Sequence, residues 1–275
     1  MISDVRTERL QVSGWTINAA LAGEGPSVLL LHGLGMSWEW WRPTLAALSE
    51  GCSVCAVDLP GWGRSSPLTT PSLESYGQLV GGLISCLDAG PTVVVGHSLG
   101  GFIAARAAIA GTPGIKALAL VAPGGFGQVH NVYLRLLSVP GLGEALIRTG
   151  VLGARIFLRS TVHRVGSIPD ELVTRAGAST GARNEFLRQL RMGMHLGRTT
   201  DAYLIEKPAS LPMPVLLAWG RHDGVLPVSL AYHAHRMLGA GPPVIFEESG
   251  HVPQLEEPAR FNAVMRAFCE RVWSD

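Results

Sequence analysis

One serine stands between glycines in Gly96-His97-Ser98-Leu99-Gly100, directly after the apolar run Thr92-Val93-Val94-Val95 and ahead of a small-residue stretch over 102–110. A serine hydroxyl is a weak nucleophile until a base takes its proton. The chain must also hold it clear of its own backbone, and a buried strand, a tight turn and a helix in succession do that. The turn leaves Ser98 at its apex, while Gly96 and Gly100 spare the strand and helix a collision with a Cβ. A helix opening at Leu99 aims its free N–H groups and positive dipole end at the place where an oxyanion would form. The chemistry this arrangement suits is attack by the Ser98 hydroxyl on a carbonyl.

Such a serine needs a base, and the base needs an acid to orient it. The apolar run 214–220 reads as a buried strand and leads into Arg221-His222-Asp223-Gly224. A carboxylate in the turn after a buried strand stands at the carboxyl edge of a sheet, where open α/β sheets place their sites, so Asp223 is the candidate acid. Asp58 also ends a strand, over 52–59, and bracing of its own loop with Arg64 is the expected role. His222 is expected to be structural. A last strand, Val244-Ile245-Phe246, is followed by Gly250-His251 on a loop before a final helix over 257–273. Of nine histidines, His251 alone lies after Ser98 and Asp223 in a post-strand loop with a flanking glycine. His32 and His97 are close to the site in sequence, and His97, beside the serine, is expected to turn its side chain away from it.

These motifs, with His32-Gly33-Leu34-Gly35 after a strand over 27–31 and the turn Asp58-Leu59-Pro60-Gly61-Trp62-Gly63-Arg64-Ser65, resemble those of serine hydrolases of the α/β-hydrolase fold. The resemblance covers both ends of the chain. It implies an α/β architecture, a mostly parallel central sheet flanked by helices, with an inserted helical lid. It also implies a catalytic triad in the order Ser98, Asp223, His251, with His251 as general base, and an oxyanion hole made by the backbone N–H groups of Leu34 and Leu99. Acyl transfer to water then follows: Ser98 attacks, the two amides hold the oxyanion, and water releases the acyl group. No metal and no organic cofactor are required. The reading is cleavage of a carboxylic ester, or of a related thioester or lactone, of a small apolar substrate accommodated by the lid. Sister groups are weighed against it. Epoxide hydrolases and haloalkane dehalogenases of this fold carry aspartate where Ser98 stands. Carbon–carbon hydrolases of ring-cleavage products share the layout, but Asn-Ser-Met-Gly and a tryptophan near the histidine are replaced here by His97-Ser98-Leu99-Gly100 and Leu255. Non-hydrolytic lyases or cyclases and cofactor-free haloperoxidases on the same fold remain alternatives. A pure binding protein would not require all three triad residues.

The elements that must position these groups follow from patterning. Loose alternation over 5–22 suggests an edge hairpin. A helix is expected over 37–49 with Ser37 as N-cap and Glu39 in its first turn; Trp38, Trp40 and Trp41 at its start either line an acyl pocket or pack beneath the rim. A helix over 72–87 and a buried strand over 116–121 complete the first part of the core. From 124 to 207 no convincing strand is evident, and amphipathic helical stretches cover 132–137, 142–149, 152–159, 169–176 and 184–194. This gives a core from 1–123 and 208–275 with a lid from 124–207. The lid carries eleven arginines and lysines against six acids, a balance of +5 in a chain whose total is +1, leaving −4 for the core. Such asymmetry marks an anionic substrate or surface, or simply arginines coating solvent-facing helices, and the second reading is preferred.

At 275 residues, 47% hydrophobic and 16% charged, the chain can bury one large core. Its near-zero net charge gives no general attraction to nucleic acid. No membrane span is indicated, and charges at Asp4, Arg6, Glu8 and Arg9 stand where a signal peptide would be apolar. A small-molecule partner and a cytoplasmic setting are expected. Cys52 and Cys55 have the C-x-x-C spacing, but no second pair follows and they read as small core residues.

Overall fold

A computed structural model describes residues 5–67, 73–88, 90–178, 180–200, 204–205 and 209–274. The chain opens with a hairpin of β1 (Arg6–Val12) and β2 (Trp15–Ala22), turned by Ser13 and Gly14 at φ 50° and 86°. Positive φ at both corners gives the primed turn whose twist matches the flanking strands. Next come β3 (Ser27–Leu31), a 3₁₀ turn at Trp38–Trp41, α1 (Arg42–Leu48) and β4 (Ser53–Val57). The helix expected over 37–49 is divided because Pro43 is tolerated only in a first turn, so α1 begins around it. Ser37 makes no capping bond; the Asp58 carboxylate takes the Trp38 N–H in its place, at 2.9 Å.

Then follow α2 (Leu73–Cys86), β5 (Thr92–His97), α3 (Leu99–Ile109) and β6 (Ile115–Val121). The start expected for α2 at Ser72 lies outside the described residues. Five helices come next: α4 (Val132–Leu137), α5 (Leu142–Ile147), α6 (Val151–Thr161), α7 (Asp170–Ala178) and α8 (Thr180–Gly193). Each lies on one of the helical stretches read from the sequence. A short ribbon of β7 (Met194–His195) and β8 (Arg198–Thr199) was not anticipated there. Two-residue strands are too short to leave an alternating pattern, and Leu196 and Gly197, at φ 48° and 79°, turn the chain between them. The boundary at 207/208 falls outside the described residues. The core resumes with β9 (Val215–Gly220), α9 (Ser229–Leu238), β10 (Val244–Phe246), the single turn α10 (Pro253–Glu256) and α11 (Pro258–Ser274).

Apart from the β7–β8 ribbon, the strands form one sheet in the order β1-β2-β4-β3-β5-β6-β9-β10. In this sheet, among the described residues, the β1–β2 and β2–β4 pairs are antiparallel and every pair from β4 across to β10 is parallel. All residues of β3 and β5 are buried, as expected for central parallel strands covered on both faces. Strand alternation divides them between two cores. Leu29, Leu31 and Val94 pack with α2 and α3, while Val28, Leu30, Val93 and Val95 pack with α1 and α11. Cys52 and Cys55 go to opposite cores in the same way, since an odd spacing along extended chain reverses the face. Among the described residues, no helix is long and apolar enough to cross a membrane.

Candidate active site

Ser98 lies between the buried strand β5 and α3, at φ 52° and ψ −111°, a region nearly closed to side-chain-bearing residues. Neighbouring segments hold it there. Its N–H donates to Val121 O at 2.9 Å, and its carbonyl accepts from Phe102 N at 3.0 Å and Gly124 N at 2.9 Å. A Cβ on Gly96 would press on Gly101 Cα at 2.7 Å, and one on Gly100 would meet His32 O at 2.6 Å. The glycines thus allow α3 to return against the strands, as the motif suggested.

The structure brings Ser98, Asp223 and His251 together from three strand ends. His251 Nδ1 is 2.8 Å from Asp223 Oδ2, and His251 Nε2 is 3.1 Å from Ser98 Oγ. The other oxygen, Asp223 Oδ1, accepts from the N–H groups of Val225 at 2.8 Å and Leu226 at 2.9 Å. Both Asp223 and His251 are buried. An ionised carboxylate only accepts, so His251 donates from Nδ1 and its Nε2 lone pair faces the Ser98 hydroxyl. Leu34 and Leu99 line the same cavity as Ser98, and neither N–H has a hydrogen-bond acceptor among the described residues.

The other polar residues near the site have structural partners. Asp58 accepts from Asn18 Nδ2 and from the N–H groups of Arg64 and Trp38, each at 2.9 Å, which is the loop-bracing role expected of it. His32 donates from Nδ1 to Gly33 O at 2.7 Å and accepts Leu59 N–H at Nε2, 2.9 Å away, tying the ends of β3 and β4 together. Burial holds its pKa below the ordinary 6.5 against the pull of Asp58. His97 turns away from Ser98 and reaches the His251 backbone.

Sequence reasoning missed Glu256. Its buried carboxylate accepts from Gly250 N at 2.9 Å and Val252 N at 3.2 Å on one oxygen, and from His163 N at 2.7 Å and Arg164 N at 2.8 Å on the other. The only local signal was a pair of acids, Glu256 and Glu257, just after the histidine loop. Glu257 holds the same loop from outside, accepting from Ser249 Oγ at 2.6 Å.

A cavity of about 140 Å³ opens onto Ser98 and His251. Trp40 lines it, whereas Trp41 is buried behind and Trp38 lies under the Arg42 guanidinium. Tyr133, Phe157 and Phe186, from α4, α6 and α8, supply an aromatic wall: the first two rings stack at 6.2 Å and the last two meet edge to face at 6.3 Å. Four arginines of this segment stand in ion pairs, Arg155 with Asp170, Arg188 with Glu185, Arg191 with Glu144 and Arg175 with Glu39.

The model of the alpha/beta hydrolase family matches residues 28–264, a span that includes the elbow, Asp223 and His251. The chain belongs to that family. A family relative, an uncharacterized protein of Mycobacterium tuberculosis, is 32% identical over 290 aligned positions, covering 98% of this chain and 83% of the relative. A pimeloyl-[acyl-carrier protein] methyl ester esterase of Vibrio atlanticus is 26% identical, covering 91% of this chain and 97% of its own. Among solved structures, a meta-cleavage product hydrolase from Pseudomonas fluorescens superposes with a TM-score of 0.80 at 23% identity, over 97% of this chain and 98% of that one. At that identity the likeness concerns the α/β-hydrolase fold, which is the fold of this protein.

Proposed function

We propose that the protein hydrolyses a carboxylic ester of a small apolar substrate, with Ser98 as nucleophile, His251 as general base and Asp223 as the group that orients it. The observation that carries this reading is the continuous relay Asp223–His251–Ser98, at 2.8 and 3.1 Å, facing an apolar cavity. His251 Nε2 takes the Ser98 proton as Oγ attacks the carbonyl, and Asp223 stabilises the imidazolium that forms. The Leu34 and Leu99 N–H groups hold the oxyanion; one such donor is worth about 3–4 kcal/mol of barrier. His251 then protonates the departing alcohol, and a water activated by the same histidine releases the acyl group. The cavity volume matches that of an engineered cavity of about 150 Å³ that takes benzene, so the buried group is a ring or short chain. The ester function of the Vibrio relative supports an ester substrate over a carbon–carbon bond. The segment 124–207 serves as a lid over this pocket, dividing the core into 1–123 and 208–275. A cytoplasmic setting fits the free cysteines Cys52, Cys55, Cys86 and Cys269.

The test is hydrolysis of p-nitrophenyl esters from acetyl to palmitoyl by wild type and Ser98→Ala. Turnover confined to wild type, best with short acyl chains, is expected. Equal turnover by both proteins, or none with any ester, would overturn the reading and move carbon–carbon hydrolysis or a lyase reaction ahead of it.

A further inference from the structure

His97 takes no part in the proton relay, yet it is fully buried between the segments that carry it. It is the last residue of β5, a strand buried along its whole length, so the direction of its side chain is fixed by a rigid element. Its Nε2 is 2.8 Å from the backbone carbonyl of His251. A carbonyl only accepts, so Nε2 carries the proton and Nδ1 is bare. That second nitrogen has no hydrogen-bond partner among the described residues and faces Gly33, where a Cβ would stand 2.9 Å from Nδ1 and 3.1 Å from Ser98 Cβ. Trp41 meets the ring edge-on at 6.5 Å, and the His251 ring lies 4.8 Å away. The imidazole therefore touches the loop after β3, which leads to Leu34, and the loop after β10, which carries the base.

An apolar ring would fill this space without leaving a buried nitrogen unpaired, a deficit of about 1–3 kcal/mol. What histidine supplies instead is one N–H at a fixed reach, directed at the His251 backbone. We propose that His97 is a positioning residue, whose Nε2–H···O=C bond fixes the His251 backbone and whose ring spaces the base loop from the loop bearing Leu34. The inference rests on His251 being the general base. Burial first, and the neighbouring His251 and His32 rings in addition, hold His97 well below its ordinary pKa against the pull of the His251 carbonyl, which keeps the neutral tautomer in place.

Three variants test this. Leucine removes the donor. Asparagine keeps an amide too short to reach the carbonyl. Glutamine places an N–H the same number of bonds from Cβ as imidazole Nε2. On p-nitrophenyl butyrate, His97→Leu and His97→Asn should lower kcat by about 10- to 100-fold, with KM changed much less, and His97→Gln should recover most of the loss. A second readout needs no substrate: the far-downfield proton resonance of the His251–Asp223 hydrogen bond should broaden or vanish in the Leu and Asn variants and return with Gln. If Leu fails to fold, the Asn and Gln pair decides. Wild-type kcat and an unchanged resonance in His97→Asn would overturn the proposal, as would failure of Gln to rescue in a protein that melts like wild type. Should wild type show no Ser98-dependent ester turnover, the ester reading fails, while the resonance still tests His97.

Discussion

Glu256 accepts a 2.7 Å hydrogen bond from the backbone N–H of His163, and through its other oxygen holds Gly250 N at 2.9 Å. One buried carboxylate thus fastens the segment after α6 to the loop that presents His251. Glu256→Gln replaces one accepting oxygen by a donor facing N–H groups. It is expected to lose about 2 kcal/mol of stability and to lower kcat more than it raises KM. Urea unfolding and steady-state kinetics on the same preparation check both. Unchanged values would show that the four N–H groups find other partners.

Asp223 gives a sharper expectation. Its Oδ1 takes the Val225 and Leu226 N–H groups while Oδ2 faces His251 Nδ1. In Asp223→Asn the amide oxygen keeps the first pair and its NH₂ meets Nδ1, forcing the proton to Nε2 where it blocks Ser98. A loss of about 10⁴ in kcat is expected with the fold intact, read from turnover beside a thermal melt. A loss below tenfold would remove Asp223 from the relay.

Acid should weaken the fold through His32 and His97. Burial sets both pKa values below the 6.5 of an ordinary imidazole, Asp58 opposing it at His32 and the adjacent His251 ring reinforcing it at His97. Below pH 6.5 the unfolded chain therefore binds more protons than the folded one. Stability is full above that pH and falls as pH drops through it, by up to about 1.4 kcal/mol per pH unit for each ring. Urea midpoints measured across this range should show the decline, with a shallower slope in His97→Gln. An identical slope would mean that His97 does not change protonation on unfolding.

The aromatic wall should set chain-length preference. Phe157→Ala removes the ring between Tyr133 and Phe186 and enlarges the cavity. The optimum among p-nitrophenyl esters is expected to move to longer acyl chains; an optimum that stays put would place the acyl group elsewhere.

What the sequence made legible divides along physical lines. Buried parallel strands such as Val93-Val94-Val95 announce themselves because both faces are apolar, and the elbow does so because Gly96 and Gly100 answer a local steric need. The hidden parts depend on contacts between distant segments. Asp58, 20 positions from Trp38, caps the 3₁₀ turn in place of Ser37, and no local pattern encodes that bond. Glu256 reaches His163 across 93 positions, and a glutamate beside another glutamate reads as surface until the chain folds over it. The ribbon at 194–199 was too brief to carry a period.

Ser98 holds φ 52° and ψ −111°, a conformation that costs of order 1–3 kcal/mol for a residue with a side chain and little for glycine. Glycine at this position would relax the backbone while removing the hydroxyl. The strain at this corner thus accompanies the hydroxyl that the proposed reaction needs, and glycine would give up both together.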